Sequence, residues 1–292
     1  MLTSKSNEKI FYFGKMVPQK LNKFESKLVP QEVFRKPQYG KDYNSYNYRC
    51  DEFVDIHKGS HILFSGCSVT FGEGLNKKEL WSWMVNEELS KNINTSGYFN
   101  LAMPGASISF DIMKMFKYFN KFGNPDIIFF NMPPTERFFS VNLDEKTHTL
   151  DITSSVGQMD SPLDKESALF ANAIHFESYN MLEAYCREAG IKLISFTWWE
   201  DTYLMQKGIK NSSEIFNSFE TFYDIHRLYS FEKYLKKQIQ LNFADKSTSD
   251  LESSILYARD GAHPGLIYHN FYKDAILNIL DNNLYKTIER YQ

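Results

Sequence analysis

The chain has 292 residues, of which 42% are hydrophobic, and its 33 basic and 36 acidic residues give a formal net charge of -3. This amount of apolar material is enough for the buried core of an ordinary globular domain. The near balance of charge argues against a polyanion as the main partner, so we expect no nucleic acid. The sequence contains no stretch of about 18 apolar residues, so we expect no membrane span.

The cysteines and the N-terminal sequence give an expectation for the cellular compartment of the protein. Cys50, Cys67 and Cys186 are widely spaced and form no Cys-x-x-Cys pair, a pattern that predicts reduced thiols and no disulfide framework. The N-terminal sequence MLTSKSNEKIFYFGK lacks the apolar segment of a secretory signal. We therefore expect a cytoplasmic or otherwise intracellular protein, with a phage- or virion-associated one as the alternative that also lacks a signal.

Strand-like and helix-like segments alternate along most of the chain. Apolar runs beside Gly or Pro predict buried strands, and apolar residues at helical spacing predict amphipathic helices. The predicted elements are, in order, a strand at 61–66, a helix at 77–90, a strand at 98–102, a helix at 107–123, a strand at 126–131, a helix at 166–190, a strand at 191–198 and a helix at 265–284. This alternation predicts a three-layer α/β/α domain with a flavodoxin-like parallel sheet.

Three segments depart from the alternation. Residues 1–58 are polar and rich in tyrosine, and we expect an irregular lead-in that packs on a single α/β domain at 59–292. Within that domain, residues 132–165 and 200–255 are long insertions without a clear period. Long connections of this kind often cover the substrate in α/β domains.

The first chemical motif, Gly66-Cys67-Ser68, follows the first strand of this alternation directly. Ligands of open α/β sheets bind at the carboxyl ends of the strands, so a hydroxyl at this turn could act as a nucleophile. The alternatives are that Ser68 only caps a helix, that Cys67 is the nucleophile, or that the turn binds phosphate. Neither GxGxxG nor GxxxxGK[ST] occurs here, which argues against the phosphate site.

The second motif is RDGAHPG at 259–265, just before the last predicted helix. Asp260 could hold one nitrogen of the His263 imidazole and leave the other to accept a proton from a serine. The alternative is a turn aspartate beside a surface histidine. The remaining candidates, His148, His175 and His269, show no metal-like spacing, so we expect no metal and no cofactor.

Together these motifs resemble the SGNH/GDSL hydrolase superfamily over about residues 61–282. The first block is similar to Gly66–Gly72, the last block matches Asp260 and His263, and the Gly of the second block corresponds to Gly105 in NLAMPGAS. The resemblance implies a triad of Ser68, His263 and Asp260. It also implies that the backbone amides of Ser68 and Gly105 donate to the oxyanion.

The third block is atypical. The family has Gly-x-Asn-Asp after its third strand, whereas this chain has FFNMPPTER at 129–137. Asn131 is the nearest candidate for the side-chain oxyanion donor. Thr135, Glu136 or Arg137 could instead face the cleft, where Arg137 could bind a substrate anion or hold the loop.

A lead-in motif also bears a resemblance. NSYNYRCDEF at 44–53 is similar to the N-x-x-G-[FY]-R-x-x-E-F segment that precedes the first block in some members. Asn47 stands where that pattern has Gly, and Asn tolerates the same left-handed backbone conformation. We expect this segment to strap the lead-in to the domain.

The resemblance implies a serine esterase or deacetylase that hydrolyses a small acyl ester, with O-acetylated carbohydrate as one candidate substrate. Transfer of the acyl group to a sugar hydroxyl would use the same triad and is the first alternative. A catalytically idle SGNH-like module that binds carbohydrate or has a structural role is the second. The sequence does not indicate the oligomeric state.

Overall fold

The computed structural model describes residues 10–12, 42–55, 58–135, 137–144, 149–155, 165–197, 258 and 263–283. The strands of these segments are β1 (Ile10–Tyr12), β2 (Ile62–Gly66), β3 (Phe99–Asn100), β4 (Ile127–Asn131), β5 (Phe138–Asp144), β6 (Thr149–Ser155) and β7 (Lys192–Thr197). The helices are α1 (Ser68–Phe71), α2 (Trp81–Leu89), α3 (Ile108–Phe122), α4 (Lys165–Glu188) and α5 (Leu266–Asn283).

A five-stranded sheet in the order β1-β7-β4-β2-β3 forms the middle layer, and all of its pairings are parallel. From β2 the chain moves outward to β3 on one side and then crosses to β4 on the other. The point where this direction reverses lies between β2 and β4, which is where α/β sheets of this kind bind ligands. The flavodoxin-like parallel sheet predicted from the sequence is confirmed.

Helices cover both faces of the sheet, which gives the three layers. On one face Phe64 stacks on Phe129 with ring centroids 5.2 Å apart, and Trp81 of α2 packs edge-on against Phe64 and Phe196. Helix α5 packs on α2. Because side chains alternate along a strand, Ser65 and Ser195 point to the opposite face, where α3 and α4 pack together.

Three details differ from the sequence-based elements. The strand β1 lies in the lead-in, where the pattern predicts none, and it pairs with β7. The first insertion contains an antiparallel hairpin of β5 and β6. The helix predicted at 77–90 is split by the extended backbone of Leu80, because the turn Lys77–Glu79 is a separate 3₁₀ helix with a capping box of Asn76 and Glu79.

Some predictions lie outside the described residues. They concern residues 1–9, 13–41 and all of the second insertion at 200–255, together with Glu136, His148 and Asp260. The division into a lead-in and one domain therefore stays a prediction. No helix in the described segments is long and apolar enough to cross a bilayer.

The buried contact between α5 and α2 generates a prediction about pH. His269 is fully buried, and its Nδ1 accepts a hydrogen bond of 2.9 Å from the Trp81 N–H. Burial lowers the pKa of His269 to about 3. Below pH 6.5 the unfolded chain protonates this imidazole while the folded chain does not, so folding stability falls as pH drops from 6.5 toward 3.

We expect His269→Gln, which keeps an acceptor but does not titrate, to reduce this pH dependence. The free energy of unfolding of the wild type should decline more steeply than that of the variant, by at most about 1.4 kcal/mol per pH unit. Urea unfolding at pH 7, 6, 5 and 4 measures both slopes. Parallel slopes for the two proteins would contradict a neutral buried His269.

Candidate active site

The turn after β2 places Ser68 at the carboxyl edge of the sheet. The strand ends at Gly66, Cys67 has extended backbone angles at the cap position, and Ser68 is the first residue of α1. Ser68 is 5% exposed, and its carbonyl accepts from the Gly72 and Glu73 N–H groups at 2.8 and 3.1 Å. The N-cap residue of α1 is Cys67 and not Ser68, so the alternative that Ser68 only caps a helix loses support.

Gly66 permits an unusually close meeting of β2, α1 and β4. Its φ is +151°, and a Cβ at this position would lie 2.6 Å from Thr70 Oγ1 and 2.7 Å from the Asn131 carbonyl oxygen. Contacts this short do not occur for real side chains, and the φ is one that L-residues rarely adopt. The glycine is therefore a packing requirement of the turn that carries Ser68.

Gly105 lies in the next loop along the same edge. After β3 the chain stays beside β2, because the Met103 N–H donates to the Gly66 carbonyl at 3.1 Å. A turn follows, closed by the Ala106 N–H and the Met103 carbonyl at 3.2 Å, with Pro104 and Gly105 at its centre. Gly105 has φ +72°, as a type II turn requires of the residue after proline. The loop is thus fixed next to the Ser68 turn.

Asn131 ends β4 directly opposite Gly66. Its side chain is fully buried, and its Nδ2 donates to Thr70 Oγ1 at 2.9 Å. This contact ties β4 to α1, two residues after Ser68. The structure therefore gives Asn131 a positioning contact, and its role as third oxyanion donor stays a prediction.

His263 is brought to the loop that follows α1. Its Nε2 lies 2.9 Å from Glu73 Oε2, with both side chains about one-third exposed. The Ala258 N–H donates to the His263 carbonyl at 2.8 Å, and Ala258 packs with Leu75 and Leu80 in a small core cluster. The segment carrying His263 therefore docks on the loop that follows α1, although Asp260, which lies between Ala258 and His263 in sequence, is outside the described residues.

Arg49 was not among the candidate site residues, yet it supports the Ser68 turn. Its guanidinium is almost fully buried and donates to the carbonyls of Phe71, Gly72 and Leu75 at 3.1, 2.9 and 2.6 Å. It also forms an ion pair of 3.1 Å with Asp42. The carbonyls after a helix end need donors, and here one side chain from the lead-in supplies them.

The segment around Arg49 is a tight turn with the geometry that the lead-in motif predicts. Asn47 has φ +62°, the left-handed conformation. The Asn44 side-chain oxygen accepts from the Tyr46 and Tyr48 N–H groups at 3.0 and 2.9 Å. This turn aims Arg49 at the loop after α1. The signal for Arg49 was present in the motif, as the Arg that follows the left-handed residue.

The alternative that Cys67 is the nucleophile loses support. Burial raises the pKa of the Cys67 thiol, which disfavours the thiolate that a cysteine nucleophile needs. His175 bonds to Ser109 Oγ at 3.1 Å and to the Arg137 carbonyl at 2.6 Å, and burial lowers its pKa. Within the described segments, no group of three or more His, Cys, Asp or Glu side chains could hold a metal ion.

No protein-family model matches the chain, and no curated protein matches it. Solved structures similar to it include TesA, with 10% identity, a TM-score of 0.40 and coverage of 75% of this chain and 97% of that one. A member of the lipolytic protein G-D-S-L family from Veillonella parvula has 10% identity, a TM-score of 0.38 and the same coverage. The psychrotrophic esterase EstA from Pseudoalteromonas, inhibited by monoethylphosphonate, has 11% identity, a TM-score of 0.39 and coverage of 76% and 96%.

The second structure is a member of the G-D-S-L lipolytic family, the type that the motifs of this chain resemble. The chemistry proposed for this chain rests on the residues around Ser68.

The three carbonyl contacts of Arg49 generate a stability prediction. Arg49→Met removes the guanidinium donors from three buried carbonyls, of which the Gly72 carbonyl still accepts from the Leu75 N–H at 3.2 Å. We therefore expect the free energy of unfolding to fall by about 2 kcal/mol. Arg49→Lys should recover only part of this loss, because an ammonium cannot span three acceptors as a planar guanidinium does. Urea denaturation measures both variants.

The matched control for this experiment is Arg187→Met on the exposed end of α4. It should change the free energy of unfolding by no more than about 0.5 kcal/mol. If Arg49→Met changed the free energy of unfolding as little as this control does, the prediction that the Arg49 contacts stabilise the Ser68 turn would be contradicted.

Proposed function

We propose that this chain is a serine ester hydrolase of the SGNH/GDSL type, with Ser68 as nucleophile, His263 as general base and Asp260 as the residue that orients the imidazole. The observation that carries the proposal is the contact of His263 with Glu73, whose own N–H donates to the Ser68 carbonyl. This contact brings the His263 imidazole, from the C-terminal part of the chain, to the loop that directly follows the buried Ser68.

The reaction begins when Ser68 Oγ attacks the carbonyl carbon of the ester. The hydroxyl proton passes to His263, and the carbonyl oxygen becomes negatively charged. The Ser68 and Gly105 amides donate to that oxygen. The tetrahedral intermediate collapses as His263 gives its proton to the leaving alcohol, and the acyl group remains on Ser68.

Water completes the cycle. His263 takes a proton from the water molecule, the hydroxide adds to the acyl carbon, and the proton returns to Ser68 Oγ as the carboxylic acid leaves. All of these steps use side chains and amides of this chain. A small acyl ester is the expected substrate class, with an O-acetylated carbohydrate as the first candidate.

The test of the nucleophile is Ser68→Ala. We expect hydrolysis of p-nitrophenyl acetate to fall by at least about 10³-fold, because the covalent route is lost. A fluorophosphonate probe should label the wild type at Ser68 and leave the variant unlabelled. Ser90→Ala, at the exposed end of α2, is the matched control and should keep full activity and labelling.

Two outcomes would contradict this proposal. Full hydrolysis by a folded Ser68→Ala protein would remove Ser68 from the chemistry. The second outcome is a wild-type protein that neither hydrolyses the ester nor reacts with the probe, while a known serine hydrolase assayed in parallel does both. That result would favour the catalytically idle module.

The Glu73 contact generates a second prediction. In the resting protein Glu73 competes with the Ser68 hydroxyl for His263 Nε2, and releasing a partly exposed pair of this kind costs up to about 1 kcal/mol. Glu73→Gln weakens the competitor, so we expect the rate of Ser68 labelling to rise up to about fivefold. Glu87→Gln on the exposed face of α2 should leave the rate unchanged. A fall of more than about tenfold in Glu73→Gln would instead make the carboxylate an essential partner of His263.

A further inference from the structure

A buried lysine of α3 contacts the loop that carries Gly105. Lys114 is only 6% exposed, and its Nζ donates to the Leu101 carbonyl at 2.7 Å. The same ammonium forms an ion pair of 2.6 Å with Asp111, one turn earlier on α3, and lies 5.2 Å from the centroid of the Phe110 ring. Lysine is almost never fully buried unless it is paired, so the position of this side chain needs a physical reason.

Stability alone is a weak reason for this buried ion pair. Taking an ammonium and a carboxylate out of water is costly, and apolar side chains of similar volume often stabilise a fold as well or better. Burial lowers the pKa of Lys114, and Asp111 opposes that shift because it favours the charged form. Apolar side chains could not, however, donate to the Leu101 carbonyl. That contact is therefore the feature that the ion pair adds.

The Leu101 carbonyl lies at the start of the Gly105 loop, directly after β3 ends at Asn100. The N–H groups of this part of the loop are already bound, because the Leu101 N–H donates to the Phe64 carbonyl of β2 at 2.8 Å. The Ala102 N–H donates to Asn100 Oδ1 at 3.0 Å. The Lys114 ammonium donates to the carbonyl between them, so the loop begins from a backbone that is held on both sides.

Lys114 also joins the two ends of the loop. The loop ends at Ser107, whose side chain caps α3, and Lys114 lies about two turns further along that helix. Its contact with Leu101 therefore ties the start of the loop to the helix that follows it. The hydrogen bond that closes the turn at the centre of the loop uses the Ala106 N–H. The Gly105 N–H takes no part in that bond, and its direction depends on where the two ends of the loop are held.

We propose that Lys114 is a positioning residue of the oxyanion hole, which fixes the Gly105 amide relative to Ser68 by holding the Leu101 carbonyl. This inference rests on the proposed function and adds to it a residue that acts through the Gly105 loop. Lys114 acts from the buried side of the loop and does not touch the substrate. Asp111 is its counterion. Because a misplacement of about 1 Å can lower the rate of an enzyme by about 10²-fold, loss of this contact should affect kcat.

The experiment compares Lys114→Met with Asp111→Asn on p-nitrophenyl acetate. Both variants break the buried ion pair, but only Lys114→Met removes the donor to Leu101. We expect Lys114→Met to lower kcat by about 10–100-fold, with KM changed by less than about twofold. Asp111→Asn should keep kcat within about threefold of the wild type, because an amine at position 114 donates hydrogen bonds whether or not it is charged.

A second measurement follows the same amide without the turnover of substrate. The rate of fluorophosphonate labelling at Ser68 should fall with kcat in Lys114→Met and stay near the wild-type rate in Asp111→Asn, because the phosphonyl oxygen occupies the oxyanion hole. The matched control is Lys117→Met on the exposed face of α3, which should keep wild-type kinetics. Urea unfolding shows which variants are folded at the assay temperature.

A double variant covers the case in which Lys114→Met does not fold. Asp111→Leu with Lys114→Met leaves no buried charge, which is often neutral for stability, and it still deprives the Leu101 carbonyl of its donor. We expect the same fall in kcat from this protein. Wild-type kcat in either folded variant would overturn the inference, because Lys114 would then only stabilise the fold.

The remaining outcomes separate this inference from the proposed function. An equal fall in kcat in Asp111→Asn would overturn the inference, since the ion pair and not the donor to Leu101 would then be the cause. A rise in KM at unchanged kcat would also overturn it. In each of these cases the inactivity of Ser68→Ala would leave the proposed function standing. A wild type without Ser68 chemistry would overturn both proposals.

Discussion

Three backbone segments meet at Gly66 more closely than any other residue would allow. A side chain there would collide with Thr70 of α1 and with the Asn131 backbone of β4, so the distance between the two central strands and the Ser68 turn depends on the missing Cβ. The Gly66 carbonyl also accepts from the Met103 N–H, which aligns the Gly105 loop. Gly66 is therefore the point at which the segments that carry Ser68, Gly105 and Asn131 meet.

The helix α1 is one turn long, and the chain after it needs donors for the carbonyls of Phe71, Gly72 and Leu75. Arg49, from the lead-in, donates to all three. A buried guanidinium without acceptors would be costly, and so would these carbonyls without donors. Each group makes the burial of the other tolerable, so the lead-in turn at Asn44–Asn47 is coupled energetically to the position of Ser68.

The sequence predicts the sheet and the edge of the site well, because continuous apolar strands and amphipathic helices reflect burial directly. It does not predict β1, because Ile10–Tyr12 is an apolar run of only three residues within a polar lead-in, too short to indicate a strand. It also misses Glu73, since nothing local in a Gly-Glu-Gly turn indicates a histidine partner far along the chain. Asn131 shows that a motif can predict the position of a residue without predicting its contacts. The residue ends β4, as the motif suggests, but its side-chain amide donates to Thr70.

The ion pair that holds His263 at the loop after α1 is partly open to water, because Glu73 and His263 are both about one-third exposed. At a separation of about 4 Å, two unit charges interact by about 1 kcal/mol in water and about 4 kcal/mol near a protein surface of lower effective dielectric. Water therefore weakens the attraction between these two side chains. In the proposed reaction this pair has to open for His263 to reach Ser68, and the screening keeps the free-energy cost of that opening small. A fully buried pair at the same place would hold the imidazole away from the serine.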